Sequence, residues 1–125
     1  MIHVDTHVAA WLCAGDVRRF PHVVLKRLER HPIHASPAVE LELQLLFEIG
    51  RVKHPAKAVI VDLAHRVGLR VAETPFELVV AAASTLAWTR DPFDRLIVGH
   101  ALADHATLLT ADQSIRGQFR SARWS

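Results

Sequence analysis

Short apolar runs alternate with longer stretches in which apolar residues recur every three or four positions. Residues 1–5 predict a brief strand, and from Thr6 the spacing turns helical through Leu12, ending near Gly15. A helix is predicted over residues 21–31 and a short strand over 33–36. Ser36-Pro37 supplies a capping hydroxyl and a proline at the first helical position, opening a helix that runs to Gly50. Pro55 opens the next, ending near Gly68, and residues 69–72 predict a third strand. Thr74-Pro75 begins a helix through about Trp88, and Asp91-Pro92 begins another through about His105. Residues 107–110 predict a fourth strand, with Asp112 starting a short helical turn. Strands alternating with helices imply βαβ units, hence an α/β chain whose mainly parallel sheet is covered on both faces.

The chain's 125 residues predict one domain over 1–125, and with 50% hydrophobic and 22% charged residues it can bury a core. A single cysteine, Cys13, excludes a disulfide framework and a cysteine zinc cluster and suits a reducing compartment, so the expected location is cytoplasmic. No apolar run reaches the roughly 18 residues of a membrane span, and His3, Asp5 and His7 interrupt any signal-peptide core. Neither GxxxxGK[ST] nor GxGxxG occurs, so nucleotide-driven chemistry has no support, and no motif activates Cys13 or a serine. The 9 histidines are scattered without HExxH, and His100 and His105 are five apart, so no zinc motif is legible; His3 and His7 flank Asp5 as strand-edge or packing residues.

The acids are more informative. Ligands of open parallel sheets bind beyond the carboxyl ends of the strands, where Asp5 and Asp112 are expected, although each also suits a helix cap. At about 100° per residue, Val39, Leu45, Leu46 and Ile49 fall within roughly 60° of Glu42, which puts that carboxylate in an apolar stripe while Glu40 and Glu48 face solvent. The same wheel sets Asp94 between Ile97, Val98 and Ala101, facing inward; Asp91, before Pro92, fits a cap. Asp5, Glu42, Asp94 and Asp112 are thus expected to converge at one end of the sheet. Such a cluster repels itself unless a cation occupies it, and all-oxygen ligation suits Mg²⁺ or Mn²⁺, the usual apparatus of phosphodiester hydrolysis.

Ile2-His3-Val4-Asp5-Thr6-His7 with Trp11-Leu12, Ser36-Pro37 through Leu41-Glu42-Leu43 to Glu48-Ile49-Gly50-Arg51, and Asp91-Pro92-Phe93-Asp94-Arg95-Leu96-Ile97 with Leu109-Thr110-Ala111-Asp112 resemble, in order and spacing, a PIN domain. More narrowly, the chain resembles a VapC-type toxin ribonuclease of a bacterial toxin–antitoxin pair. The resemblance covers nearly the whole length. It implies a three-layer α/β/α fold with a central, mainly parallel sheet of four to five strands. It also implies a Mg²⁺-dependent endoribonuclease acting on RNA, a homodimer, and inhibition by a small cognate antitoxin. Asp5, Glu42, Asp94 and Asp112 match the family's four acids in order, with Glu40 the alternative to Glu42 one turn of register away.

Two readings from other classes stand beside this one: a catalytically silent PIN-like binding module, which would be expected to lose the acids, and a metal-dependent DNA nuclease, for which the short chain lacks a threading insertion. A haloacid-dehalogenase-like phosphatase would need an acid where His7 stands, and a receiver domain would need a late lysine, whereas none follows Lys57. The net charge of +2 gives no general basic field. Yet if four of the 13 acids serve a cation, 15 basic residues face the remaining 9 acids, about +6, a balance suited to RNA. Arg18, Arg19, Lys26, Arg27 and Arg30 read as a solvated face, whereas Arg116, Arg120 and Arg123 follow Asp112 and can hold phosphates.

Overall fold

The computed structural model describes residues 1–125. Five strands, β1 (Ile2–Val4), β2 (Ile33–Ala35), β3 (Arg70–Val71), β4 (Thr107–Leu109) and β5 (Ala122–Arg123), form one sheet in the order β3-β2-β1-β4-β5. Every pairing is parallel. Parallel neighbours need crossovers, and seven helices supply them: α1 (Thr6–Ala14), α2 (His22–Arg30), α3 (Pro37–Glu48), α4 (Ala56–Val67), α5 (Phe76–Ala83), α6 (Pro92–Ala103) and α7 (Gln113–Gln118). The result is a three-layer α/β/α architecture. The expected fifth strand is β5, at the sheet edge beside β4.

Local chemistry explains most boundaries. Gly15 and Gly68 take left-handed conformations (φ 71° and 70°) that end α1 and α4. Ser36 caps α3 by accepting from the Ala38 amide at 3.2 Å, with Pro37 in the first turn. Helix α5 ends at Ala83, short of the expected Trp88. There the Ser84 and Thr85 hydroxyls bond back to the carbonyls of Val80 (2.8 Å) and Ala82 (2.7 Å), competing with the helical ladder.

The central strands are buried on both faces, with Val4, Ala35, Leu108 and Leu109 fully enclosed. Helices α1, α3 and α4 pack on one another, and α5 pairs closely with α6. That last contact depends on Gly99, where a β-carbon would come within 2.8 Å of the Ala83 backbone nitrogen. No helix is long and apolar enough to cross a membrane.

Candidate active site

The strand order reverses between β1 and β4, because the chain leaves β1 towards β2 on one side and returns to β4 on the other. A crevice opens at such a switch point beyond the carboxyl ends of the strands. Asp5 follows β1 directly, and its amide donates to the Leu109 carbonyl at 3.0 Å, extending the ladder to the crevice edge. Its carboxylate accepts from the Thr6 amide at 2.8 Å, capping α1, and from the Thr110 hydroxyl at 2.6 Å. Cap and site residue are therefore one and the same. Burial pushes the Asp5 carboxyl above its ordinary range despite those two hydrogen bonds.

Glu42 is half-buried on α3, where it accepts a hydrogen bond from the Thr6 hydroxyl. Burial raises its carboxyl too, and the charges of Asp5 and Asp91 act in the same direction. Its surroundings differ from the helical-wheel expectation. The buried face of α3 is Ala38, Val39 and Leu43, while Leu45 and Ile49 are exposed, so Glu42 borders the core and does not sit amid an apolar stripe. Glu40 is also half-buried, not fully solvated, yet it lacks the bond to Thr6 that draws Glu42 to the site.

Asp94, in the first turn of α6, is strongly perturbed. Burial, followed by the charges of Asp91, Asp5, Asp112 and Glu42, pushes its carboxyl up to about 7. Four carboxylates from separate elements thus act on one group, which places all the expected acids in a shared field. Asp91 caps α6 by accepting from the amides of Phe93 (2.8 Å) and Asp94 (3.3 Å), and it is also part of that field. Asp112 is exposed, not inward-facing, because its side chain caps α7 at the Ile115 amide (3.1 Å).

None of these acids has a lysine or arginine ion-pair partner. Beside the hydrogen bonds from Thr6 and Thr110, the exposed imidazole of His7 favours ionisation of Asp5 and Glu42. An unneutralised, partly desolvated group of carboxylates is a fit for a hard divalent cation, since their oxygens are the ligands such an ion takes. The spacing is open: the sole trio of His, Cys, Asp or Glu with ligand atoms within 4.8 Å of one another is His3, His100 and Asp104, elsewhere in the fold.

Sequence reasoning passed over Thr6 and Thr110. Thr110 donates to Asp5 and accepts from the Asp112 amide at 3.1 Å, so one hydroxyl joins two acids, and Thr6 joins Asp5 to Glu42. A threonine directly after an acid, or two residues before one, was the only available signal. Beside His7 a surface groove of about 870 Å³ is lined by Trp11, Arg51, Lys53 and His54. Of the C-terminal arginines, Arg116 donates to the Ala111 carbonyl at 3.3 Å, next to Asp112. In the earlier basic stretch, Arg19 pairs with Asp16 at 2.7 Å and lies over Trp11, as an ordinary solvated face does.

The PIN domain model matches residues 2–118 of this chain. No curated protein matches it. Among solved structures it is similar to a chain in the crystal structure of VapBC2 from Rickettsia felis bound to a DNA fragment from their promoter. The TM-score is 0.66 and the identity 20%, over 94% of this chain and 93% of that one. That likeness is one of fold.

Proposed function

The chain belongs to the PIN domain family, and from that premise we propose that it is a Mg²⁺-dependent endoribonuclease, the toxin of a toxin–antitoxin pair. Asp5, Glu42, Asp94 and Asp112 hold the cation in this reading, with Mn²⁺ able to replace Mg²⁺. The observation that carries it is Asp94, whose carboxyl is raised to about 7 by burial and by four neighbouring carboxylates with no basic group to offset them. A structural helix cap gains nothing from that repulsion, whereas a cation site requires it.

A divalent ion held there would supply countercharge for the phosphate and, by lowering the pKa of water, make hydroxide available to attack phosphorus. The chain's own residues set the geometry. Thr110 and the Thr6 amide fix both oxygens of Asp5, and the Thr6 hydroxyl fixes Glu42 on the facing helix. Asp112, exposed at the rim, stands nearest the incoming strand, with Arg116 beside it to hold a phosphate. Arg51, Lys53 and His54 extend the cationic surface along the groove past His7.

The partners follow the same reading: RNA as substrate, a small antitoxin as inhibitor, and a second copy of the chain, all in the cytoplasm. The likeness of fold to VapBC2 from Rickettsia felis, solved bound to a DNA fragment from their promoter, supports this reading.

The test is cleavage of single-stranded RNA by purified protein with Mg²⁺, with and without EDTA, beside folded Asp94→Asn. Wild type should cleave only with Mg²⁺, and the variant should lose at least a hundredfold in rate. Equal rates for the two proteins would end the acid-cluster mechanism, and preference for DNA in the same assay would change the substrate.

A further inference from the structure

On the sheet face covered by α6, three histidines and an aspartate lie together in an otherwise apolar core. His3 of β1 and His100 of α6 are 1% and 2% exposed, with ring centroids 5.0 Å apart. Asp104, at the carboxyl end of α6, receives the Thr74 hydroxyl on one oxygen. Its other oxygen lies 2.7 Å from His3 Nε2 and 3.7 Å from His100 Nε2. His34 of β2 stacks on the far side of His3, with centroids 6.2 Å apart. Three ring nitrogens of the cluster, His100 Nε2, His3 Nδ1 and His34 Nδ1, are buried without a hydrogen-bond partner. Buried polar atoms are nearly always paired, and each orphan is costly unless something occupies its lone pair.

We propose that His3, His100 and Asp104 form a second metal site, a zinc site distinct in place and chemistry from the acid cluster. One ligand atom from each of the three lies within 4.8 Å of the other two. The separations of 2.7 Å and 3.7 Å bracket the roughly 3.3 Å expected between ligands that sit about 2.0 Å from a tetrahedral ion. Two imidazoles and one carboxylate are a borderline-soft set that selects Zn²⁺ over Mg²⁺. They leave a fourth position for water, reached from the surface cavity of about 600 Å³ that Asp104, Thr74 and His34 line.

Around His100 the contacts are those a metal-bound imidazole needs, whereas His3 Nδ1 has no acceptor. His100 Nδ1 lies 2.9 Å from the Ser36 hydroxyl. With Nδ1–H donating to that oxygen, Nε2 presents its lone pair towards Asp104. Thr74 orients the carboxylate in the same way. Metal uptake at His3 Nε2 sends that nitrogen's proton to Nδ1, so the ring stays neutral. Burial lowers the pKa of both imidazoles, which favours the neutral form a metal ligand needs, and the hydrogen bonds from Thr74 and His3 lower that of Asp104 against its own burial. The zinc ties β1 to the end of α6 and, through Thr74, to the segment after β3. Asp104 lies ten residues along α6 from Asp94, on the order of 15 Å, and none of Asp5, Glu42, Asp94 and Asp112 joins the trio of ligand atoms within 4.8 Å of one another.

The test titrates Co²⁺ as an optical probe into the EDTA-stripped full chain. Wild type and Asp94→Asn should both develop the visible d–d absorption of a tetrahedral site, which one equivalent of Zn²⁺ abolishes, and His100→Ala should not. Zn²⁺ at a hundredfold excess over its Kd should raise the Tm of wild type and Asp94→Asn by roughly 10 °C and leave His100→Ala unmoved. Should His100→Ala fail to fold, the isosteric Asp104→Asn replaces it. Absence of the Co²⁺ spectrum from wild type, or its persistence in the ligand variants, overturns the site whatever the RNA assay shows.

Discussion

At the scale of single residues, Asp94 carries the clearest consequence. Its carboxyl titrates at about 7 in the folded chain, against roughly 3.9 when unfolded. Between those values the folded protein keeps a proton that the unfolded chain releases, so the stability of cation-free protein falls as pH rises from about 4 to 7. In EDTA the Tm should drop across that window, and Asp94→Asn should flatten the drop. Because the group is only partly buried, the variant's gain at pH 8 is expected to be about 1 kcal/mol, well short of the full shift. Mg²⁺ should restore wild type at pH 8 and leave Asp94→Asn unaffected. Thr110 gives a second expectation. Thr110→Val removes the only hydroxyl on Asp5 and leaves the Asp112 amide without its acceptor, so urea unfolding should show a loss of about 1–3 kcal/mol.

At the scale of elements, the α5–α6 contact is the most exacting. Alanine normally stabilises a helix interior relative to glycine by about 1 kcal/mol, yet at Gly99 its β-carbon would press on the Ala83 backbone, which cannot swing aside. Gly99→Ala should therefore destabilise the chain by about 1–3 kcal/mol in chemical denaturation, reversing the usual sign. Such close approaches leave no trace in hydrophobic periodicity. Caps and breakers do, which is why the starts of α3 and α6 and the ends of α1 and α4 were legible from Ser36-Pro37, Asp91-Pro92, Gly15 and Gly68. The end of α5 was not, because hydroxyls at Ser84 and Thr85 decide it. Four strands were readable, including the two-residue β3 in the run after Gly68, whereas β5 lies in the stretch Arg120-Ser121-Ala122-Arg123, which has no apolar run to mark it. Glu42 and Asp94 were singled out because a carboxylate among apolar residues demands a reason, although for Glu42 the wheel mistook exposed Leu45 and Ile49 for core. His3 and Asp104 escaped, since strand and helix bring together residues 101 positions apart, and only the spacing of His100 and Asp104 was local.

At the scale of the whole molecule, α5 is out of keeping with a lone subunit. Its sequence is apolar apart from Glu77, but only Val79 and Ala83 are buried against the rest of the chain. Phe76 is 68% exposed, with Leu78 at 53% and Val80 at 40%. A helix apolar all round belongs in an interior, and large apolar side chains exposed on it call for a covering partner. A second copy of the chain is the occupant that the proposed function supplies. A two-fold interface would pair α5 with its own symmetry mate and set the two acid clusters on one particle. The single substitution Phe76→Glu places a charge at the most exposed apolar position, where it meets its own copy across the axis. Sedimentation should show wild type as a dimer and Phe76→Glu as a monomer with an unchanged circular dichroism spectrum. If wild type is itself monomeric at tens of micromolar, α5 serves another partner, and the antitoxin becomes the surface to test against it.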